Sequence, residues 1–395
     1  MSVMNGPLSR FRVLDLTRAL AGPAAVRQLA DWGADCIKIE VPTDDPNPPD
    51  EMSPRLGSYF QNAHRNKRSL TLNLRDERGR TIFYDLVKQA DVVVENYRPG
   101  VKHRLKIDYE TLKEMNPKIV YASISAFGQE GPYVDRPGFD QIIQGMGGLM
   151  SATGFPGNPP TRAGIAVSDL SSGLYCSIGI LVALLDREVT GKGRWVRTSL
   201  IEAMIAMMDF QAARWLTEGE IPSQVGNDHP TNFPMSAYET ADSAMNIAPM
   251  EETMWHRFCE VIGRPDLAEN SNYANERLRL VNKEALRSEI VPILLRKTTA
   301  EWIAAMNAAG VPCGPIYRMD QVFADEQVEK LSIVEEVQHP KIDRLRLIRQ
   351  PVRLEDEPQR IAAPVPDRGF HTNEILQGIG LTENSIAELR AAGVV

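Results

Sequence analysis

The chain is 395 residues long, and 43% of its residues are hydrophobic and 24% charged. This composition is typical of an ordinary globular protein, and the length suffices for two domains with a large buried core. The formal net charge is -8, which argues against a nucleic-acid-binding protein because phosphate contacts need a basic surface. Any anionic ligand must therefore be met by a local basic cluster.

Targeting signals and metal motifs are missing from the sequence. No apolar run approaches the roughly 18 residues of a membrane span, and the segment before Leu16 lacks the apolar core of a signal peptide. We therefore predict a cytoplasmic protein without a membrane partner. The cysteines form no CxxC pair and the histidines no HExxH motif, so the sequence predicts reduced, structural thiols and no metal site.

In chain order, the first third alternates apolar strands with helices. The predicted strands cover 12–16, 36–39, 70–74, 91–95 and 119–124, and the predicted helices cover 23–31, 78–89 and 109–115. Pro23 suits the first turn of the first helix because its fixed φ is already helical. Alternation of this kind predicts a parallel sheet covered by helices, which is an α/β fold.

A long helix is predicted over 170–187, where apolar residues recur at helical spacing and the Gly-Lys-Gly of 191–193 ends the run. A strand over 195–199 and a Met-rich helix over 201–216 follow. The polar stretch 217–234 predicts a crossing into a second domain, with helices near 254–262, 283–295 and 299–309. The proline-punctuated tail is expected to lie extended over a sheet or a partner, without a core of its own, before a last helix near 383–392.

Asp169 lies at the start of the long predicted helix, in the sequence Ser-Asp-Leu-Ser-Ser-Gly. The helix dipole is expected to keep a carboxylate there ionised. Serine and aspartate are ordinary N-cap residues, so one interpretation of Asp169 is a helix cap. The other is a carboxylate nucleophile, which divides an acyl transfer into two easier steps. Spacing alone does not choose between them.

Two basic clusters and one glycine are the other candidate ligand contacts. The first strand is followed by Gly22 alone and not by GxGxxG, which excludes a dinucleotide cradle of that type. The basic clusters are residues 64–68 and the set Arg98, Lys102, Arg104 and Lys106. Either cluster could meet phosphates, and either could be an ordinary solvated loop.

An ordered series of short motifs changes the interpretation, because together they resemble the class III CoA-transferases. That family includes formyl-CoA transferase and carnitine CoA-transferase, the CaiB/BaiF type. The resemblance covers nearly the whole chain. The motifs are VLDLT (13–17), AGP (21–23), GADCIKIE (33–40), NKRS (66–69), ADVVVEN (90–96), PG (99–100), SAFGQEGP (125–132), Asp169 with Gly173, TGKG (190–193) and GVPCGP (310–315).

The resemblance implies a mechanism for Asp169. In the family, the aspartate at this position attacks an acyl-CoA and forms an aspartyl anhydride, which CoA thiolate converts into an aspartyl-CoA thioester. An acceptor acid then runs the sequence in reverse. The resemblance thus implies acyl-CoA and a small carboxylic acid as substrates, with no permanently bound cofactor.

The resemblance also implies contacts and architecture. The implied CoA-contacting residues are Ala21, Leu72, Asn96 and Arg104, with Lys67, Arg68 and Arg98 as electrostatic candidates for the nucleotide phosphates. The implied fold is a large Rossmann-like domain with a smaller α+β domain, in an interlocked homodimer. In this chain the large domain is expected over 1–216 and 326–395, and the small domain with its linkers over 217–325.

The chain departs from formyl-CoA transferase at several positions. Leu20 replaces a glutamine, Val41 replaces a basic residue, and no glycine-rich loop is evident in 227–250. Oxalate is therefore not implied as the substrate. His229 and Asn232, in that region, are candidates for substrate contact, although a surface crossing between domains is the favoured interpretation.

Two other functions remain open. An α-methylacyl-CoA racemase resembles this fold but transfers protons through a histidine and an aspartate. Phe139 stands at the position of that histidine and cannot carry a proton, which disfavours racemization; Glu252 could mimic a further racemase acid. The second alternative is a non-catalytic acyl-CoA-binding protein, against which Asp169 argues.

Overall fold

The computed structural model of the chain describes residues 6–43, 53–356 and 361–395. The chain forms two compact units. Unit 1 comprises Met1–Leu149, Arg162–Glu220 and Ser332–Val395, and unit 2 comprises Met150–Thr161 and Ile221–Leu331. The domain boundaries that we predicted, at 216/217 and 325/326, stay a prediction. That prediction placed residues 150–161 in the large domain, whereas the division into compact units assigns Met150–Thr161 to unit 2.

Unit 1 is built on a parallel sheet of six strands in the order β3-β2-β1-β4-β5-β6. The strands are β1 (Arg12–Asp15), β2 (Asp35–Glu40), β3 (Arg68–Thr71), β4 (Val92–Glu95), β5 (Val120–Ser125) and β6 (Trp195–Ser199). The central strand β4 is buried throughout, as expected for a parallel strand with both faces covered. The predicted α/β fold with a Rossmann-like parallel sheet is confirmed.

Helices cover both faces of this sheet. Along the chain, the helices before β6 are α1 (Ala21–Asp31), α2 (Ser58–His64), α3 (Glu77–Val87), α4 (Pro99–Leu105), α5 (Tyr109–Met115), α6 (Asp140–Met146), α7 (Leu149–Ala152) and α8 (Val167–Thr190); α7 belongs to unit 2 from Met150 on. After β6 come α9 (Leu200–Met207) and α10 (Asp209–Glu218). The helix predicted over 201–216 is thus two helices, because Asp209 adopts a φ of 40°, outside the helical range.

The strand order places a topological switch between β1 and β4. From β1 the chain builds outward to β2 and β3, and it then returns to the other side of β1 to add β4, β5 and β6. The loops that leave β1 and β4 therefore run in opposite directions at the carboxyl edge of the sheet. A crevice at such a switch is the usual ligand site of open parallel sheets.

Helix α8 carries two different faces. Among the described residues it is the one helix long and apolar enough to cross a membrane, with a mean hydropathy of 1.6 over its most apolar window, half of which is buried. Our expectation that no apolar run reaches that length was therefore wrong. The buried face packs on α1, where a Cβ at Gly173 would lie 2.7 Å from the carbonyl oxygen of Ala21. Glycine at this position is what allows the two helices to approach so closely.

The C-terminal tail differs from its prediction. It contains the strands β10 (Val334–Val337) and β11 (Leu345–Ile348), which pair as an antiparallel hairpin. Val337, Leu345, Leu347 and Ile361 form a small core there, so the expectation of a tail without its own core was wrong. The last helices, α18 (Thr372–Gly378) and α19 (Glu383–Ala391), bury apolar residues in the main core of unit 1.

Unit 2 has mixed α and β structure, which confirms the α+β expectation. Its sheet is antiparallel, in the order β7-β8-β9, with β7 (Ser236–Glu239), β8 (Ala244–Ile247) and β9 (Cys313–Pro315). Its core contains Trp255, Phe258 and Trp302. The helices are α11 (Glu252–Val261), α12 (Pro265–Glu269), α13 (Glu276–Val281), α14 (Lys283–Leu294), α15 (Thr299–Ala308), α16 (Met319–Val322) and α17 (Glu326–Leu331).

Candidate active site

A cavity of about 250 Å³ opens at the topological switch of unit 1. Its walls come from the segments that follow β1, β4, β5 and β6, together with the start of α8. The residues that line it are Arg18, Ala19, Ala21, Asn96, Tyr97, Arg98, Pro99, Ile124, Ser125, Ala126, Phe127, Val134, Arg136, Pro137, Gly138, Phe139, Asp169 and Leu200. The fold therefore brings Asp169 to the crevice in which open parallel sheets bind ligands.

Asp169 lies in the first turn of α8 and is partly buried. The N-cap position belongs to Ala166, which offers no side-chain oxygen. The cap is instead supplied by Asp140 of α6, whose Oδ1 accepts hydrogen bonds from the backbone N and the Oγ of Ser168, both at 2.9 Å. The helix-cap interpretation of Asp169 is therefore wrong, because another carboxylate performs that task.

Burial changes the charge state of Asp169. Desolvation, followed by repulsion from the charge of Asp140, raises the pKa of Asp169 to about 7. We expected the helix dipole to keep this carboxylate ionised; burial and the charge of Asp140 instead favour its neutral form. Near neutral pH the side chain is divided between its charged and neutral forms. A carboxylate of higher pKa is also the stronger nucleophile once it is ionised.

Three of the residues predicted to contact CoA meet at this cavity. Ala21 begins α1, Asn96 follows β4, and Arg98 precedes α4. The Asn96 side chain joins the two edges of the switch: its Oδ1 accepts from the backbone N of Arg18 at 2.9 Å, and its Nδ2 donates to the carbonyl of Arg18 at 2.7 Å. These two hydrogen bonds link the loop after β1 to the loop after β4.

Four other predicted contacts lie elsewhere. Lys67 is buried and donates to Asp15 Oδ2 at 2.8 Å, and Leu72 is buried in the core. Arg68 forms a bidentate pair with Asp35, at 2.8 and 2.7 Å, and Arg104 is exposed on α4. None of the four lines the cavity that holds Asp169, and their role in CoA binding stays a prediction.

Some residues at the site were missed by the sequence interpretation. Arg136 lines the cavity, and its guanidinium lies over the rings of Phe127 and Tyr133. Tyr59 on α2 interacts electrostatically with Asp169, and burial together with that charge raises the pKa of Tyr59 to about 12. The arginine and aromatic residues that follow the 125–132 motif in the sequence were a signal for Arg136. Nothing in the sequence pointed to Tyr59, because its approach to Asp169 is tertiary.

The residues that bear on racemization have other surroundings. Phe139 lines the cavity and is 64% exposed. Glu252 belongs to unit 2, where hydrogen bonds from Arg279 lower the pKa of Glu252. Both His229 and Asn232 also lie in unit 2, and the amide of Asn232 donates to Glu276 at 2.8 Å. Substrate contact by these two residues stays a prediction.

Across residues 6–43, 53–356 and 361–395, no group of three or more metal-ligating side chains could hold a metal ion.

Comparison with known proteins identifies the family. The family model for CoA-transferase family III matches residues 8–372. A succinyl-CoA:mesaconate CoA-transferase from Haloarcula marismortui is 36% identical, over 95% of this chain and 97% of that protein. A human succinyl-CoA:glutarate CoA-transferase is 33% identical, over 98% of this chain and 90% of that protein. The crystal structure of a CAIB/BAIF family protein from Brucella suis aligns with a TM-score of 0.82 and 34% identity, over 95% of this chain and all of that one. The chain is therefore an enzyme of CoA-transferase family III.

Proposed function

We propose that this enzyme moves CoA from an acyl-CoA donor to a carboxylic acid through covalent intermediates on Asp169. The observation that carries the proposal is the placement of Asp169: a partly buried carboxylate at a helix start, facing the switch-point cavity, with a pKa near neutrality. The side-chain oxygens of Asp169 accept no hydrogen bond from any residue that the structure describes. They are thus available to attack a carbonyl carbon.

The reaction balances without water or an external base. An Asp169 oxygen attacks the thioester carbonyl, and the carbon–sulfur bond breaks. CoA departs as the thiolate, and the acyl group remains on Asp169 as a mixed anhydride. The thiolate attacks the aspartyl carbonyl and releases the donor acid, which leaves an aspartyl-CoA thioester. The acceptor carboxylate displaces the thiolate again, and the thiolate then attacks the acceptor's carbonyl, which restores Asp169. Each tetrahedral oxyanion needs hydrogen-bond donors that reach into the cavity.

For substrates, we propose succinyl-CoA as donor and a small dicarboxylic acid as acceptor. Both named relatives use succinyl-CoA, one with mesaconate and one with glutarate. The cavity supplies positive charge for anionic substrates through Arg18, Arg98 and Arg136. Aromatic rings line the same wall, among them Phe127 and Phe139, and they can pack against an apolar carbon chain.

A racemase reaction is the second candidate, and it is not favoured. Proton transfer beside a thioester needs a side chain that takes and returns a proton within hydrogen-bond reach of the carbon. Phe139 faces the cavity at the position where the resemblance places that group. Phenylalanine cannot perform this step.

We also propose that the protein is a cytoplasmic homodimer. The support for the dimer is the exposed face of α8, where apolar residues follow one another at helical spacing: Leu174, Ile178, Val182, Leu185 and Val189. A contiguous apolar surface of this kind is typical of an interface. A second copy of the chain is the occupant that we propose. The cytoplasmic location is supported by four free thiols, which a reducing compartment maintains.

The test is to trap the covalent intermediate. The enzyme is incubated with succinyl-CoA, then treated with hydroxylamine or digested directly, and the peptide that contains Asp169 is analysed by mass spectrometry. We expect a CoA or hydroxamate adduct on that residue. Asp169→Asn is expected to lose the adduct and at least about a thousandfold in kcat, because the nucleophile is gone. Asp343 is exposed and supplies the control: the Asp343→Asn enzyme should retain both the adduct on Asp169 and the wild-type kcat.

Two outcomes would contradict the proposal. An Asp169→Asn enzyme with wild-type turnover would exclude the covalent mechanism. Deuterium incorporation next to the thioester, without an adduct, would favour the racemase. Rates with mesaconate, glutarate and monocarboxylates of equal length then decide the acceptor class, and we expect the dicarboxylates to react faster.

A further inference from the structure

A pair of buried polar residues on α6 holds the segment that leads into the nucleophile's helix. Gln144 and Asp140 lie one turn apart and are both buried. The Gln144 side chain accepts from the backbone N of Ala163 at 2.9 Å and donates to the carbonyl of Ile165 at 3.0 Å. Asp140 Oδ1 continues this series at Ser168. The backbone from 163 to 168 is therefore fixed on both sides of the turn that begins α8.

Asp140 is itself held in one orientation. Its Oδ2 accepts from Gln144 Nε2 at 2.6 Å, while its Oδ1 is occupied by Ser168. Arg162 lies 3.7 Å away but is half exposed. A half-exposed guanidinium at that distance neutralises little of a buried charge, because solvent screens it. The charge of Asp140 therefore acts on the first turn of α8 with little compensation from Arg162, and it is the second cause that raises the pKa of Asp169.

We propose that Asp140 is a positioning residue for Asp169, which both fixes the backbone that carries the nucleophile and places a second negative charge beside it. This inference rests on the proposed role of Asp169 as the covalent nucleophile. Asp140 does not touch the reacting atoms, because its oxygens are committed to Ser168 and Gln144. It acts through the helix start and through its charge.

The two tasks have different consequences. The hydrogen bonds set where the Asp169 carboxylate points, which affects kcat at every pH. The charge of Asp140 disfavours ionisation of Asp169, in addition to the larger effect of burial, and this affects the pH at which activity begins. Other titratable or charged groups on elements around Asp169 are Tyr59 (α2), Arg27 and Asp31 (α1), Tyr121 (β5), Arg197 (β6), Glu202 (α9), and the cavity residues Arg18, Arg98 and Arg136.

The experiment measures kcat and the pH dependence of kcat/KM for three variants of the full-length enzyme. Asp140→Asn keeps the acceptor oxygen for Ser168 but removes the charge. We expect its acidic limb to move to lower pH by about 0.5–1 unit, so that its rate relative to its own plateau rises severalfold at pH 5.5. Gln144→Met removes the hydrogen bonds to the backbone of Ala163 and Ile165 but keeps the charge of Asp140. It should lower kcat without moving the acidic limb of the pH profile. Asp135→Asn removes an exposed charge from the segment that precedes α6 and should change neither kcat nor the acidic limb.

A merely structural role for Asp140 predicts a different result. It would lower kcat and the melting temperature of Asp140→Asn and leave the acidic limb in place, and that outcome overturns the inference. If Asp140→Asn does not fold, Asp140→Glu decides: it keeps the charge and displaces the oxygens, so kcat should fall with an unmoved limb, and an unchanged kcat overturns the inference.

Failure of the proposed function is recognised separately. An active Asp169→Asn enzyme removes the covalent mechanism, whatever the Asp140 variants do. An inactive Asp169→Asn enzyme together with an unmoved limb in Asp140→Asn overturns only the role assigned to Asp140.

Discussion

Asp169 combines two properties that oppose one another in the folded protein. Its position at the cavity suits nucleophilic attack, but burial and the charge of Asp140 disfavour its ionised form and raise its pKa to about 7. A carboxyl group whose pKa is higher in the folded than in the unfolded state stabilises the fold fully only below its unfolded value, near 4. That contribution is lost as the pH rises through the folded value.

The Asp169→Asn variant should therefore be more stable than the wild type in alkaline solution. Asparagine carries no charge at any pH, so its burial has no pH-dependent cost. Between pH 5 and pH 8 we expect the stability difference in favour of the variant to grow by about 2–3 kcal/mol. Urea denaturation without substrate at both pH values measures it, with Asp343→Asn as control. A difference that stays constant with pH would contradict the pKa of about 7.

At the scale of elements, the contact between α1 and α8 decides where Asp169 lies. The apolar repeat over 170–187 predicts a helix, and α8 confirms it. Several of those apolar residues, among them Leu174 and Leu185, are nevertheless exposed, while small residues such as Gly173 and Ser177 face the core. The close approach of α1 and α8 depends on small side chains, and periodicity of large apolar residues does not reveal it.

Replacing Gly173 by alanine tests this contact. The new Cβ would lie 2.7 Å from the carbonyl oxygen of Ala21 and 3.1 Å from the Cβ of Ala24. The two helices must separate, which we expect to destabilise the protein by about 1–3 kcal/mol and to lower kcat, because Asp169 lies one turn away. Chemical denaturation and steady-state kinetics measure both effects.

Gly378 provides the matched control for that substitution. It lies in helix α18, where an added Cβ would meet nothing within 4 Å. Gly378→Ala should therefore be neutral or stabilising by about 0.5–1 kcal/mol, with unchanged kinetics. Equal effects of the two substitutions would show that the α1–α8 contact is not the cause.

At the scale of the whole molecule, the exposed face of α8 is the feature that a single chain does not explain. Val182 is 60% and Leu185 69% exposed in the middle of a helix whose other face belongs to the core. Exposing such a surface to water is unfavourable by about 25 cal/mol for each Å². Burial against a second copy would remove this penalty.

The double variant Val182→Glu, Leu185→Lys tests the proposed dimer without changing the net charge. Charged side chains must lose their water when they enter an apolar interface, so we expect the dimer dissociation constant to rise at least about a hundredfold. Sedimentation velocity at micromolar concentration measures it. Val281→Lys, at a residue that is 71% exposed in unit 2, is the control and should stay dimeric. A monomeric wild type, or a double variant that remains a dimer, would refute this interface.

Local patterns along the chain were sufficient for the alternating strands and helices, for the parallel sheet, and, through the ordered motifs, for the family; the same motifs singled out Asp169 as the candidate nucleophile. These properties depend on residues that are neighbours in sequence. The cap that Asp140 supplies to α8, the pKa of Asp169, the approach of Tyr59, and the separation of Lys67 and Arg68 from the cavity needed the tertiary structure. Burial and charge–charge distances arise between residues far apart in the chain, and only folding brings them together.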